Sequence, residues 1–190
     1  MSNNDVIVVS GLPRSGTSMM MSMLQAAGLP LITDGIRSAD EDNPKGYFEL
    51  ERVKKLKNEH GWLADAGGHV VKVISDLLRD LPPDYSYRVI FMRRKIDEIL
   101  SSQEKMLERR GEEGGAVDMD DMKRIFLRDL DDTMDWLRGC KHLQVLFVSY
   151  NRLLNEPEGQ LKRIQQFLGD GVDADDMRTV IDKALYRNRS

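Results

Sequence analysis

The chain has 190 residues, with 28 Lys and Arg against 32 Asp and Glu, so its formal net charge is −4. This balance argues against a general nucleic-acid or anionic-membrane surface, and any anion site must therefore be local. Hydrophobic residues make up 41% of the chain, which excludes a wholly disordered protein. The size predicts one globular domain over residues 1–190.

The cysteine, histidine and apolar patterns further restrict the class of protein. The single cysteine, Cys140, excludes an internal disulfide and a cysteine-based zinc site. No stretch approaches the roughly 18 apolar residues that span a bilayer, and the first residues lack the pattern of a secretory signal. His60, His69 and His142 show no metal-ligand spacing. These features predict a cytoplasmic protein with no metal and no membrane span.

The first predicted unit is a strand, a glycine-rich loop and a helix. Residues 6–9 are valine and isoleucine, a run typical of a buried strand. The loop over 11–16 follows, and from Thr17 apolar residues recur at helical spacing until Gly28 and Pro30 end the pattern. The methionine run at 19–23 lies on this helix and is predicted to pack in the core.

The rest of the chain alternates short apolar strands with amphipathic helices. Strands are predicted at 70–74, 88–92 and 145–148, helices at 95–110, 120–137, 158–168 and 173–185, a short helix through Leu77 and Leu78, and loops at 33–47 and 111–118. The core face of the helix over 120–137 is predicted to hold Ile125, Phe126, Leu130, Met134 and Leu137. The alternation predicts an α/β fold of the three-layer P-loop type. Its central, mostly parallel sheet would be flanked by helices, with active groups at the carboxyl ends of the strands.

Residues 11–18, GLPRSGTS, have the Gly-x4-Gly spacing of a phosphate loop. Such a loop and the helix N-terminus behind it turn backbone N–H groups toward a phosphate, and the hydroxyls of Thr17 and Ser18 add to them. Thr17 stands where a Walker A loop carries lysine, which weakens transfer of a terminal phosphate. The sequence therefore predicts phosphate binding, with Arg14 as the cation within the loop.

The segment PRSGTS, directly after a strand, resembles the 5′-phosphosulfate loop of the sulfotransferases that use 3′-phosphoadenosine 5′-phosphosulfate (PAPS). That family carries Pro-Lys/Arg-Ser-Gly-Thr-Thr/Ser at this place. The resemblance implies that Arg14, Ser15, Gly16, Thr17 and Ser18 hold the 5′ end of the nucleotide. It also implies that Arg14, a fixed cation, stabilises charge on the leaving phosphate and the sulfuryl oxygens.

A second segment is similar to the 3′-phosphate segment of the same family. An arginine stands at a strand end and a serine eight residues later, which here are Arg93 and Ser101. The pair implies charge-assisted contacts to a ribose 3′-phosphate. A third, weaker resemblance runs from Tyr150 through Pro157 to Gly169, and a packing role is expected for it.

The expected catalytic base is the main departure from the family pattern. Lys72 matches a family lysine in a Lys-x-His pattern, but the histidine position holds Ile74, which cannot accept a proton. Glu49 is the candidate base, since it follows the loop over 33–47 and some branches of the family use a glutamate in the substrate region. Four other carboxylates compete with it, and these are Asp34, Asp40, Glu51 and Asp76.

Taken together, the resemblance implies transfer of a sulfuryl group from PAPS, the co-substrate, to a hydroxyl or amine. Arg14, Lys72 and Glu49 would be catalytic, no metal is proposed, and the acceptor would be a small molecule, a glycan or a lipid. Two alternatives stay open: a divergent P-loop nucleotide kinase, against which the missing loop lysine argues, and a non-catalytic module that binds a nucleotide or a protein partner. The sequence predicts neither the acceptor nor the oligomeric state.

Overall fold

The computed structural model describes residues 5–37, 40, 46–109, 118–169 and 171–181. Within them lies one sheet of four strands, β1 (Val6–Gly11), β2 (Val70–Lys72), β3 (Tyr87–Arg93) and β4 (Leu143–Ser149). The strand order is β2-β1-β3-β4, and every neighbouring pair is parallel. All six residues of β1 are buried, which explains its unbroken run of apolar and small residues.

Six α-helices are described around the sheet. They are α1 (Thr17–Ala26), α2 (Ile96–Arg109), α3 (Met119–Gly139), α4 (Tyr150–Asn155), α5 (Pro157–Leu168) and α6 (Ala174–Thr179). Three short 3₁₀ turns at Glu51–Lys55, Gly61–Asp65 and Ser75–Asp80 connect the elements between β1 and β3. Pro157 opens α5, where its missing N–H costs no helical hydrogen bond.

Apolar side chains of the sheet face two separate cores. Along β1, Ile7 and Val9 point toward a core built with α1, α4, α5 and α6, while Val6 and Val8 point toward a second core built with the 3₁₀ turns and Leu137 of α3. Alternate residues of a strand face opposite sides, so one buried strand supplies both cores. The prediction of a three-layer α/β fold is confirmed.

The methionine run lies in the first of these cores. Met20, Met21 and Met23 are fully buried on α1 against the sheet, and burying each side chain contributes about 1.5–3 kcal/mol relative to leaving it exposed. The predicted packing role of this run is therefore confirmed.

Three element predictions need correction. The strand predicted at 70–74 ends at Lys72, because Ile74 already precedes the 3₁₀ turn at Ser75–Asp80. β4 covers Leu143–Ser149 instead of 145–148, and Tyr150 begins α4, a helix that the sequence analysis did not predict. The last helix ends at Thr179 instead of 185. Residues 182–190 lie outside the described part of the chain, as do residue 110 of the predicted helix at 95–110 and residues 111–117 of the predicted loop at 111–118.

The predicted core face of α3 is only partly covered. Leu137 is buried, but Ile125 is 52% exposed, and Thr133 is buried although it is polar. The helix has 21 residues and spans about 30 Å. Its last turns contribute to the second core, the one that Val6 and Val8 face. Periodicity identifies the apolar side of a helix, but it does not show how much of that side meets a partner.

The register of the strands brings three strand ends together. Gly11 at the end of β1 lies beside Met92 of β3, and Val9 lies beside Lys72 at the end of β2. The chain leaves β1, forms β2 on one side and then β3 on the other. Such a reversal of strand order opens a crevice at the carboxyl edge of a parallel sheet, where ligands bind in this class of fold.

Candidate active site

The loop between β1 and α1 is a tight turn built on two glycines in the left-handed region. Gly11 has a φ of 144° and Gly16 a φ of 98°. A Cβ on Gly11 would lie 2.7 Å from the carbonyl oxygen of Met92, so a side chain there would collide with β3. Gly16 precedes α1 without any side-chain cap. The N–H groups of the first turn of α1 therefore remain directed toward the crevice, as an anion site requires.

Arg14 is the one non-glycine residue of this loop with a positive φ, of 66°. A left-handed conformation at such a residue costs on the order of 1–3 kcal/mol and persists only where neighbouring groups hold it. Its carbonyl oxygen accepts a hydrogen bond of 3.1 Å from an Nη of Arg94. Its own Nε donates to Ser102 Oγ of α2 at 3.0 Å. Both contacts join the loop to the segment that follows β3.

The three hydroxyl residues of the loop lie in different surroundings. Ser15 is 1% exposed, its N–H donates to the Leu12 carbonyl, and its Oγ points at the position that a Cβ of Gly11 would occupy. Thr17 and Ser18 are half-buried at the start of α1, and Ser18 Oγ lies 3.4 Å from the Tyr47 carbonyl. Ser15 thus lies beneath the turn, whereas Thr17 and Ser18 lie nearer the crevice.

Lys72 is a buried cation at the carboxyl end of β2. Its side chain is 6% exposed, and its ammonium group donates to the Tyr47 carbonyl and lies 3.7 Å from Glu49 Oε1. Desolvation lowers the pKa of Lys72 from 10.5 to about 8, and the charge of Glu49 opposes that shift. The ammonium is therefore mostly protonated at pH 7 and begins to lose its charge within about one pH unit above it.

Glu49 lies between two cations. Its Oε1 accepts from an Nη of Arg37 at 3.1 Å and faces Lys72, while its Oε2 has no hydrogen-bond partner among the described residues. The Arg37 guanidinium lies 3.3 Å from the centre of the Tyr47 ring, and the Tyr47 hydroxyl donates to the Asp40 carboxylate. A half-exposed carboxylate with one open oxygen therefore lies beside a buried ammonium.

The predicted 3′-phosphate pair lies at the junction of β3 and α2. Arg93 is the last residue of β3 and is exposed, and its side chain forms no hydrogen bond or ion pair with the described residues. Ser101 is half-buried on the second turn of α2. Met92 pairs with Gly11, the first residue of the phosphate loop, and Arg93 follows Met92 in the chain. This cation therefore lies beside the start of the loop. The next residue after Ser101 is Ser102, and it is Ser102 that contacts Arg14.

Four residues of the crevice were missed or given no functional role by the sequence analysis. Arg94, Glu98 and Asn151 form a buried hydrogen-bond network beside the loop, and the ring of Tyr150 packs against Gly16. The signal available for one pair was the spacing of four residues between Arg94 and Glu98, with Arg94 just before the predicted helix and Glu98 in its first turn. Asn151 is more than fifty residues away, and no local pattern connects it to Glu98.

Gly16→Ala should destabilise the protein by about 2–5 kcal/mol, because a left-handed φ costs about 1–2 kcal/mol at an L-residue and overpacking adds about 1–3 kcal/mol. The new Cβ would collide with Cδ2 of the Tyr150 ring. Gly28→Ala is the matched control, since Gly28 has a φ of 83° and nothing within 4 Å of its Cβ position. Urea unfolding of both variants separates the two costs. Equal losses would show that the Tyr150 contact adds nothing.

The described residues offer neither a cluster of metal ligands nor a membrane-spanning helix. No group of three or more His, Cys, Asp or Glu side chains in the described ranges could hold a metal ion. Among the helices described, none is both long and apolar enough to cross a membrane.

Two solved structures show how widely this fold is shared. A mouse sulfotransferase, SULT7A1, crystallised as a complex with PAP, superposes with a TM-score of 0.62 at 15% identity, covering 100% of this chain and 69% of that one. The sulfotransferase STF1 from Mycobacterium tuberculosis superposes with a TM-score of 0.61 at 17% identity, covering 95% of this chain and 71% of its own. These likenesses establish a common fold.

Sequence comparison identifies the family. Heparan sulfate glucosamine 3-O-sulfotransferase 3B1 of mouse and of human is 42% identical to this chain over 55 residues, which are 29% of this chain and 13% of the relative. The match therefore spans a small part of those longer proteins. A model described as the sulfotransferase family matches residues 47–174, a range that excludes the phosphate loop. Because that range is about two thirds of the chain, this protein belongs to the sulfotransferase family.

Proposed function

We propose that this protein transfers a sulfuryl group from PAPS to a hydroxyl or amine acceptor. The observation that carries the proposal is the meeting of three groups at the carboxyl edge of the sheet. They are the phosphate loop after β1, Arg93 at the end of β3 and buried Lys72 beside Glu49. The mouse structure was solved as a complex with PAP, adenosine 3′,5′-bisphosphate, which is what PAPS becomes when it loses its sulfuryl group.

The donor would be held at its two phosphates. Backbone N–H groups at the start of α1 and the hydroxyls of Thr17 and Ser18 would bind the 5′ end, with the helix dipole adding to them. Ser15 would support the turn from beneath, and Gly16 would allow the backbone to approach the phosphate. Arg93 and Ser101 would bind the ribose 3′-phosphate through charge-assisted hydrogen bonds.

The transfer needs an in-line nucleophile and stabilisation of charge on the sulfuryl and bridging oxygens. The acceptor oxygen or nitrogen attacks sulfur while the bond from sulfur to the bridging oxygen of the 5′-phosphate breaks, so PAP leaves with the bonding electrons. Lys72 and Arg14 stabilise the negative charge on these oxygens. Glu49 accepts the acceptor proton on Oε2, the oxygen without a partner among the described residues.

The contacts of the competing carboxylates favour Glu49 as the base. Asp34 accepts the backbone N–H groups of Ile36 and Glu51, which lowers its pKa and ties it to the loop. Asp40 accepts the Tyr47 hydroxyl. The two remaining carboxylates also have partners, since Glu51 pairs with Lys54 and Asp76 accepts from Ser75. Among these carboxylates, Glu49 is the one that contacts Lys72.

A glycan hydroxyl is the first acceptor class to test. The relatives from mouse and human are named for 3-O-sulfation of a glucosamine in heparan sulfate. Small-molecule and lipid hydroxyls or amines complete the screen.

We place the activity in the cytoplasm, since a chain of 190 residues with a single cysteine suits a reducing compartment.

Calorimetric titration tests the proposal directly. The purified protein is titrated with PAP in EDTA, with ADP in EDTA, and with ATP and magnesium. We expect PAP to bind without metal and more tightly than ADP. Preference for ATP with magnesium would favour a kinase, and binding of none of the three would favour a non-catalytic module. If PAP binds, release of PAP from PAPS in the presence of each acceptor then measures transfer.

Arg93→Ala should weaken PAP binding by about 1.5–3 kcal/mol, or roughly 10- to 150-fold, because it removes a charged donor to the 3′-phosphate. Binding of ADP, which has no 3′-phosphate, should change little. Arg128→Ala is the charge control, since Arg128 lies on α3 with its side chain 83% exposed. Equal losses for PAP and ADP would remove Arg93 from the 3′-phosphate site.

A further inference from the structure

A buried ion pair lies directly beside the phosphate loop. Arg94 follows the last residue of β3, and its Nε donates to Glu98 Oε2 at 2.9 Å. The two side chains are 8% and 0% exposed. Removing two charges from water is costly, and a buried pair of this kind is weak evidence for stability. The role of this ion pair therefore lies in the groups that it holds in place.

Arg94 is connected to two residues of the loop with a positive φ, Arg14 and Gly16. One Nη donates to the carbonyl oxygen of Arg14 at 3.1 Å. The guanidinium carbon lies 4.6 Å from the centre of the Tyr150 ring, and that ring fills the space where Gly16 would carry a side chain. Arg94 thus touches Arg14 directly and Gly16 through Tyr150.

Glu98 and Asn151 hold the guanidinium in this position. The second carboxylate oxygen of Glu98 accepts from Asn151 Nδ2 at 2.7 Å. Asn151 follows Tyr150 on α4, so the network joins the β3 end, α2 and α4 around the loop. A guanidinium that donates from two nitrogens in a fixed plane cannot turn without breaking one of these bonds.

We infer that Arg94 is a positioning residue for the phosphate loop, held by Glu98 and Asn151, and that it sets the affinity for the 5′-phosphate end of the nucleotide. The inference rests on the proposed function, because it takes the loop as the 5′-phosphate site. Arg94 acts through the carbonyl of Arg14 and through the ring of Tyr150, and the 3′-phosphate is bound elsewhere.

Two ligands separate this role from a general structural one. We expect Arg94→Gln to weaken PAP binding by about tenfold or more, the equivalent of one lost charge-assisted hydrogen bond. Adenosine 3′-monophosphate has no 5′-phosphate, and its affinity should stay within about twofold. Lys95→Gln, the next residue and an exposed one, removes the same charge without touching the loop and should change neither affinity.

A second variant separates positioning from the charge of the network. Removing the negative charge of Glu98 would strengthen anion binding if charge alone mattered. Positioning predicts that Glu98→Ala weakens PAP binding, because Arg94 loses its anchor. If either variant fails to fold by circular dichroism, Asn151→Ala removes one hydrogen bond of the network and no charge, and it should weaken PAP binding in the same selective way.

The outcomes distinguish this inference from the proposed function. If the native chain does not bind PAP, the proposed function fails. If it binds PAP but Arg94→Gln weakens both ligands equally or neither, Arg94 is not a positioning residue for the 5′ end and the proposed function stands. Tighter PAP binding by Glu98→Ala would also overturn the inference, since it would show an effect of charge alone.

Discussion

Glu49→Gln should lower kcat for sulfuryl transfer by about 10²–10⁴-fold, the usual contribution of a general base, while PAP affinity stays within about twofold. Glutamine keeps the shape of the side chain but cannot accept the acceptor proton. The native chain, Glu49→Gln and the control Glu51→Gln are compared for kcat with one acceptor and for PAP affinity by calorimetry. Glu51 lies two residues away and pairs with Lys54 at the surface, so its variant should keep full activity.

The residual activity of Glu49→Gln should also depend on pH differently from the activity of the native chain. The charge of Glu49 raises the pKa of Lys72 against the larger effect of burial. Without that charge the pKa of Lys72 falls, and the residual rate should decline at a lower pH than in the native chain. Activity within threefold of native would assign the base elsewhere. Loss of PAP binding in parallel with kcat would mean that Glu49 supports the donor site instead of accepting a proton.

Lys72→Met should lower kcat by about 10²–10³-fold, as removal of one preorganised group that stabilises transition-state charge does. The native rate should fall as pH rises through about 8, where the Lys72 ammonium loses its proton. Lys72→Arg keeps a cation that stays protonated throughout this range, and its alkaline decline should disappear although its absolute rate is lower. Lys54→Met is the matched control, because the Lys54 side chain is 64% exposed.

Lys72 should make the stability of the folded chain rise with pH, whereas it makes the rate of transfer fall. The pKa of Lys72 is lower in the folded chain than its ordinary 10.5, so the unfolded chain binds more protons between about pH 8 and 10.5. This group therefore adds stability as pH rises through that window, and Lys72→Met should lack that gain. At pH 7 the methionine variant should unfold at the same or higher urea concentration, since it buries no charge. An unchanged pH profile of kcat in Lys72→Met would exclude Lys72 from the reaction.

The strand, loop and helix at the start of the chain were predictable because their causes are local. A β-branched run favours a strand, and two glycines allow the positive φ angles of the turn. The arrangement of α and β elements was predictable for the same reason, and the structure confirmed a parallel three-layer fold. Element ends were less predictable, since the boundary at Ser149 and Tyr150 depends on how β4 meets α4.

Two features of the crevice depend on distant contacts. Sequence patterns left several carboxylates as candidates for the base, and the folded chain places one of them, Glu49, beside Lys72. The network of Arg94, Glu98 and Asn151 joins segments more than fifty residues apart. A pattern of hydrophobicity carries no information about such polar contacts.

The alternation of strands and helices, the order of phosphate loop and arginine along the chain, and the resemblance to sulfotransferases could all be predicted from the sequence. Each of these follows from neighbouring residues, because backbone conformation and side-chain periodicity are local properties. The folded chain was needed to show which side chains share the crevice, how deeply Lys72 is buried and what holds Arg14 in its left-handed conformation. Burial and charge pairing depend on parallel strands whose ends meet across crossovers, and the pKa of Lys72 exists only in that assembled environment.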